Sequence, residues 1–518
     1  MSKEKFITSI QNSYTQNPNS IYLGAGIYQS AIVAEASVYL SMRMMNRHGL
    51  VTGATGSGKT RTLQLLAEQL SNAGVPVFMP DMKGDLSGMA AEGQRNAKID
   101  ERAQALGINF SPATFPVELY SLSGKLGAQM RATITEFGPA LLSKILELND
   151  TQTGVLNILF KYADDKQLPM VDFSDLKKVL NYLTDGKGAL EIKADYGKIS
   201  SATASTILRK IVSLEQQGVD HLFGEPSFDI EDLFEKIDGK GVISLLNVSD
   251  IQSQPAIFST FMLSLLAELY QRLPEAGDLD KPKLIFFLDE AHLLFKDAPK
   301  AFLDQIDQII RLIRSKGVGI FFCTQVTQDV PANVLAQLGN RIHHVIRAFT
   351  PNDVKALKET IKTFPKSAYY DMEQQFTQLG TGQAFITVLN EKGIPTETVV
   401  THLAPPVSVM GPLAEADYQH LLESSDMNKK YKVSVDPESA FEMLNERMAQ
   451  QQASDEDAQE TERKTKTTTT KKAEKSTFEE VMASPVAKQV GRELVRGVFG
   501  MLFGAAPRRS SRRKTSLF

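Results

Sequence analysis

A single cysteine, Cys323, excludes an intrachain disulfide and any cysteine-rich metal site, and it fits a reducing compartment. Long apolar runs are missing too. No stretch approaches the roughly 18 consecutive apolar residues of a membrane span. Met1–Thr8 carries no apolar core of a signal peptide. A cytoplasmic protein without an integral membrane segment is the expectation. Charge of one sign is also lacking: the net charge of −4 does not announce a nucleic-acid binder. No internal repeat is visible. The apolar fraction of 42% is ample for a large core. At about 100–200 residues per domain, the length allows two or more domains.

Residues 1–45 read as a short N-terminal β segment, with Ile21–Gly26 and Ser37–Leu40 as brief strands. Residues 46–138 open an α/β core. Gly49–Thr52 is apolar, Thr62–Leu70 has helical spacing, and Gly74–Asp81 is apolar again. That strand–loop–helix–strand order predicts a mainly parallel central sheet. Residues 139–238 carry helical patterns at Leu141–Leu146, Val155–Phe160, Leu176–Leu183 and Ser205–Leu214, which predicts a helical insertion. Residues 239–410 return to the sheet, with strands at Gly241–Val248, Lys283–Leu288, Val318–Thr324 and Arg341–Arg347. Helices are expected at about Pro255–Leu273 and Ala301–Ser315, and a hairpin from Gln383–Asn390 and Thr396–His402. Residues 411–449 are a helical extension. Residues 450–518 read as a disordered linker followed by a basic amphipathic tail, Val490–Phe503, and the Arg508–Lys514 cluster.

The chemistry gathers at Gly53-Ala54-Thr55-Gly56-Ser57-Gly58-Lys59-Thr60, followed by Arg61. Placed between a strand and a helix, this G-x-x-x-x-G-K-[ST] pattern is a phosphate loop. Its glycines let successive N–H groups converge on one anion, and the helix start adds its positive end. Lys59 would reach the β- and γ-phosphates of ATP, and the Thr60 hydroxyl would hold Mg²⁺. Far downstream, Ile285–Leu288 leads into Asp289-Glu290, a Walker B pattern. Asp289 is the second Mg²⁺ group; Glu290 is placed to polarise the water that attacks the γ-phosphate. Gln325 ends the next buried strand, beside the loop strand or the Asp289 strand, as a γ-phosphate sensor or a strand-end cap. A ring of such subunits needs an arginine donated to each site by a neighbour. Arg314 and Arg311 lead, then Arg341 and Arg347, against surface or packing roles for each. Asp81-Met82-Lys83-Gly84-Asp85 ends a strand where ligand groups gather, although a structural turn serves equally. Leu122–Lys125 and Leu86–Met89 only echo a transporter signature. His48, His292, His343 and His344 show no metal spacing; His292, two positions after Glu290, resembles a helicase DExH box but reads rather as the start of the loop after the strand.

Asn46–Thr60, Asp81–Gly88, Leu288–His292 and the strand ending at Gln325 together resemble the HerA–FtsK superfamily of ring ATPases, in its bacterial HerA-like branch. The resemblance covers about residues 20–410 and the basic helix near 490–503. It implies a RecA-like ASCE P-loop NTPase, assembled as a homohexamer and driving DNA through a central pore. It implies nucleotide binding at Lys59 and Thr60, Mg²⁺ and hydrolysis at Asp289 and Glu290, a sensor at Gln325 and a trans-acting arginine at Arg314. Some relatives work with a nuclease docked on an N-terminal β-barrel. With only some 45 residues before the loop, recruitment of the same nuclease is doubtful. Two other readings stand beside the DNA motor: a ring ATPase that moves or assembles protein, and a nucleotide-gated scaffold.

Overall fold

The computed structural model describes residues 2–185, 188–251, 254–295 and 300–465. In chain order its first strands are β1 (Ser20–Tyr28), β2 (Ala31–Ser41), β3 (Gly49–Thr52), β4 (Val77–Asp81), β5 (Val117–Ser121) and β6 (Ala128–Gln129). A small ribbon follows, β7 (Lys236–Ile237) and β8 (Lys240–Gly241). The remaining strands are β9 (Ile243–Asn247), β10 (Leu284–Leu288), β11 (Val318–Thr324), β12 (Asn340–His343), β13 (Gln383–Thr387) and β14 (Val399–Leu403). All but the ribbon join one twelve-stranded sheet, ordered β2-β1-β14-β13-β12-β3-β11-β10-β4-β9-β5-β6.

From β12 to β6 every neighbouring pair is parallel; β13, β14, β1 and β2 extend the sheet antiparallel. The central strands lack alternating polarity because both of their faces are covered. Every residue of β10 and β11 is buried. Successive side chains point to opposite faces. Leu50, Phe78, Phe286 and Phe322 therefore enter one apolar cluster, and Val51, Met79, Phe287 and Phe321 enter the other. The first cluster is closed by five helices lying between β6 and β7: Ile134–Ile145, Asp150–Asp165, Phe173–Asp185, Gly188–Asp195 and Ser201–Gln216. The helices Pro255–Arg272 and Lys300–Ile313 complete that side. The second cluster takes Leu63, Leu66 and Leu70 from the helix Lys59–Asn72. A phosphate loop strand separated from an acidic strand by one intervening parallel strand is the RecA-like ASCE arrangement, and the order β3-β11-β10 has it.

Two expectations need correction. Residues 1–45 are more than brief strands, because a helix, Lys3–Ser13, precedes a long hairpin of β1 and β2. Ser2 caps that helix through the Lys5 N–H. Phe6 and Ile10, one turn apart, are its buried contacts, and the Tyr14 hydroxyl donates to Ile386 O at 3.0 Å and Glu397 O at 2.6 Å. At the other end, the helix Ala440–Thr465 runs into the stretch expected to be a disordered linker. Its buried Ala440 and Leu444 anchor it on the first cluster, and a helix can then continue past its packed turns. The basic tail lies outside the described residues. β13 and β14 do pair antiparallel, although each is shorter than the expected hairpin arms.

Past β14 the chain crosses the helix Lys59–Asn72 and the loop after β4 as an extended strap. The buried Glu68 carboxylate accepts from Val407 N at 2.8 Å and Ser408 N at 3.1 Å. Gly93 N donates to Val407 O, and Val409 N to Ala91 O.

Candidate active site

β3 is buried throughout and wedged between β11 and β12, so the loop that follows it leaves the C-terminal edge of the sheet. Gly53 has φ 147°, and a β-carbon there would stand 2.5 Å from His344 Cβ. Gly58, at φ 108°, begins the helix Lys59–Asn72 in a left-handed conformation with no side-chain cap. Only glycine fits these two positions without strain. The loop is held from β12 and β13: Ala54 N donates to Val345 O at 2.9 Å, and Gly382 N to Ser57 O at 3.1 Å. Lys59 Nζ donates back across the loop to Gly53 O at 2.6 Å and Ala54 O at 3.2 Å. Thr55 and Gly56 are exposed, and Thr60 is half-buried in the first helical turn. Arg61 Nη1 donates to Gln64 Oε1 at 2.9 Å, and its Nη2 lies 3.9 Å from Asp85 Oδ2. Arg61 thus faces the loop after β4.

In that loop the open question about Asp81 is answered. Its Oδ1 accepts from Lys83, Gly84 and Asp85 N–H groups, and its Oδ2 accepts from Leu86 N at 3.0 Å. Burial raises its pKa and these bonds oppose the rise. Asp81 builds the turn.

Asp289 and Glu290 leave β10 at the same edge. Glu290 has φ 49°, a conformation that non-glycine residues adopt at a cost. Its N–H donates to Asp289 Oδ1 at 2.9 Å, while Ala291 N donates to Cys323 O at 2.8 Å. Burial, and then the Asp289 carboxylate, push the Cys323 thiol well up, and the Lys59 ammonium acts against them. One buried thiol on β11 thus feels the loop lysine from one side and the acidic pair from the other. Gln325 follows β11 directly and is exposed; in register, Thr324 lies beside Thr52 and Phe322 beside Leu288. It therefore stands between the loop strand and the acidic strand, adjacent to both. The turn beyond it is fastened by Asp329, which accepts from the Thr324 hydroxyl and from Val326 N.

The arginines are placed otherwise. Arg314 lies in the turn Arg314–Lys316 ahead of β11, at the strand end opposite Gln325. There it lines a cavity of about 160 Å³ with Arg43, Arg47, Asp278, Glu391 and Lys392. Burial, and then Arg47, lower its pKa. Arg311 pairs with Asp307 at 2.7 Å. Arg341 donates to the carbonyls of Leu335, Leu338 and Thr363, which is a packing role. Arg347 is exposed beyond β12.

Sequence reasoning missed the histidines under the loop. Thr52 Oγ1 and His343 Nδ1 are 2.6 Å apart, and Thr62 Oγ1 and His344 Nε2 are 2.9 Å apart. Two adjacent histidines at the end of a strand, followed by the apolar pair Val345-Ile346, were the available signal. His48 also turns inward, its Nε2 donating to Ile310 O at 2.7 Å and its Nδ1 accepting from Ile320 N at 3.0 Å. Burial lowers His48 to about 4 and His344 to about 3. A histidine with a depressed folded pKa contributes stability that is full above its unfolded value, about 6.5, and is lost as pH falls through the folded value. Over that window the contribution is on the order of 3 kcal/mol for His48 and on the order of 5 kcal/mol for His344. The urea midpoint should therefore fall steadily between pH 6.5 and 4. His48→Gln, which keeps a donor but does not titrate, should make that slope shallower; an unchanged slope would contradict a neutral buried His48.

Among the described residues, no group of three or more His, Cys, Asp or Glu could hold a metal ion, and no helix is long and apolar enough to cross a membrane. A family model described as helicase HerA-like, C-terminal, matches residues 28–509. The chain is 23% identical over 367 residues to the DNA double-strand break repair helicase HerA of Sulfurisphaera tokodaii, covering 68% of this chain and 65% of that protein. It is 24% identical over 361 residues to the protein of the same name from Saccharolobus solfataricus, covering 69% and 65%. The match thus spans somewhat less than two thirds of these relatives. Among solved structures, plasmid coupling protein TrwB in complex with the GTP analogue GDPNP is similar at a TM-score of 0.49 and 13% identity, covering 77% of this chain and 92% of that one. The strand order, not this likeness, establishes the fold.

Proposed function

The chain belongs to the helicase HerA-like C-terminal family, and from that premise we propose that it is an ATP-hydrolysing, hexameric motor that moves along DNA. The observation that carries the hydrolase reading is the spacing of three adjacent strand ends. β3 delivers the Lys59 loop, β10 delivers Asp289-Glu290, and β11 between them delivers Gln325.

The residues fit a magnesium nucleotide. Ala54 N and Ser57 N are bonded within the protein, and the glycine-lined loop offers its remaining backbone N–H groups and an uncapped helix start to phosphate oxygens. Ser57 Oγ is buried at this edge with no hydrogen-bond partner among the described residues, as a polar atom awaiting a ligand would be. Thr60 and Asp289 would hold Mg²⁺, which when bound neutralises charge on the β- and γ-phosphates. Lys59 exchanges the Gly53 and Ala54 carbonyls for phosphate oxygens. Glu290 takes the proton of, or orients, the attacking water. Gln325 hydrogen-bonds near the γ-phosphate and reports its loss to β11. Arg314 stands on the far edge of its own sheet, so a role in hydrolysis requires a second copy to present it, in keeping with a ring. The strands of residues 1–45 extend the central sheet through β1–β14 pairing, a different construction from a partner-docking barrel, so the same nuclease is not proposed as a partner.

DNA as the track is tested by ATPase rates with and without duplex DNA at low salt. At least fivefold stimulation is expected, fading as salt rises because phosphate contacts release counterions. Flat rates, with no DNA retained in a gel-shift assay, would remove DNA and leave a protein-moving ring or a nucleotide-gated scaffold.

A further inference from the structure

Glu290 is the first residue of a tight turn. Leu293 N donates to Glu290 O at 2.9 Å, and Ala291 N is pinned to Cys323 O on β11. The left-handed backbone at Glu290 and the short helix His292–Phe295 then leave the residue two positions on little freedom. The turn brings His292 back beside the Glu290 side chain: His292 Nδ1 lies 3.4 Å from Glu290 Oε2, and the two side chains are 34% and 22% exposed. That separation falls short of a formed hydrogen bond, and Oε2 has no other partner among the described residues. A buried carboxylate oxygen without a partner is rare in folded proteins, and a donor already at its side is the economical remedy.

Bases that activate a nucleophile are commonly oriented by a third group. Their hydrogen bonds are often long in the free enzyme and tighten once substrate is bound. We propose that His292 is a positioning residue for Glu290: its ring N–H closes onto Oε2 when nucleotide binds and aims Oε1 at the water. The inference rests on the reading of Glu290 as the group that activates water. His292 itself touches neither water nor phosphate. Its work is to remove rotational freedom from the carboxylate, so its loss should fall on turnover and not on nucleotide affinity.

The test is steady-state ATPase kinetics on the full chain with His292→Ala and His292→Asn, the latter placing an amide N–H where Nδ1 stands. His292→Ala is expected to lower kcat about tenfold with KM for ATP within twofold, and His292→Asn to recover most of the loss. In a Glu290→Gln background, His292→Ala should cost nothing further. Equal losses in the Ala and Asn variants would mark a packing role and overturn the proposal, as would an unchanged kcat in His292→Ala or a change confined to KM. Thermal unfolding of each variant shows whether a loss is merely of fold. If Glu290→Gln turns over at the wild-type rate, the reading of Glu290 fails first. If Glu290→Gln is inactive and His292→Ala is not, the His292 proposal alone fails.

Discussion

Glu290→Gln is expected to bind ATP as the wild type does and to lose turnover by about 10²–10⁴-fold, the range that a positioned base contributes. The substitution keeps the size of the side chain and removes its charge and proton affinity. Glu290 leaves β10, whose five residues are all buried, so the framework that aims it is stiff. The variant keeps the turn pinned by Ala291 N to Cys323 O, because that bond is made by backbone. On the proposed reading, binding falls to other groups: the loop of Gly53–Gly58, Lys59 and Thr60. A loss in kcat with KM nearly unmoved is the signature of an interaction made only in the transition state. Equilibrium binding of ATP together with single-turnover hydrolysis checks both halves. Normal turnover in the variant would remove Glu290 from the chemistry.

Lys59→Ala should fail one step earlier, at nucleotide binding. A charge-assisted hydrogen bond contributes about 1.5–3 kcal/mol. Contacts to two phosphates would weaken affinity by a factor of about 100 or more. The free protein tolerates the change better. The Lys59 ammonium is spent on the carbonyls of Gly53 and Ala54, and losing those charge-assisted bonds costs at most about 1.5–3 kcal/mol apiece, less where water reaches the part-buried carbonyls. Calorimetric titration with ATP should therefore show binding lost, while thermal unfolding shows a shift of a few degrees. Tight binding by Lys59→Ala would mean that the loop holds nucleotide by backbone alone.

The Lys59 loop could be read from sequence because eight consecutive residues carry it, and the two central strands because burial on both faces leaves Leu284–Leu288 and Val318–Thr324 without polar interruption. Other features depend on contacts that no local pattern encodes. The helix Lys3–Ser13 buries only Phe6 and Ile10, too few turns for a period to show. Asp81 reads the same whether it binds a ligand or caps its own turn, and only the N–H groups of residues 83–86 decide. His343 and His344 showed no metal spacing, and their partners Thr52 and Thr62 lie far away in sequence. The helix that ends at Thr465 is polar along most of its length, which looks from composition like an unstructured linker. Arg314 could be found as a residue but not as a place, since the cavity it shares with Arg43, Arg47, Asp278 and Glu391 is assembled from segments far apart in sequence.

The same strand order sets a schedule for synthesis. β3, the strand that launches the phosphate loop, pairs among the described residues with β11 and β12, which leave the ribosome more than 250 residues after it. β1 waits still longer for β14. The helix Lys59–Asn72 can form early, but the loop ahead of it has no floor until His343 and His344 arrive beneath it. A nascent chain that stalls before β12 carries the complete Gly53–Thr60 signature without the contacts from Val345, His344 and Gly382 that hold it in shape. Completion of the loop's support is therefore a late event in the birth of this molecule, and such long-range pairing keeps its hydrophobic strands exposed while they wait.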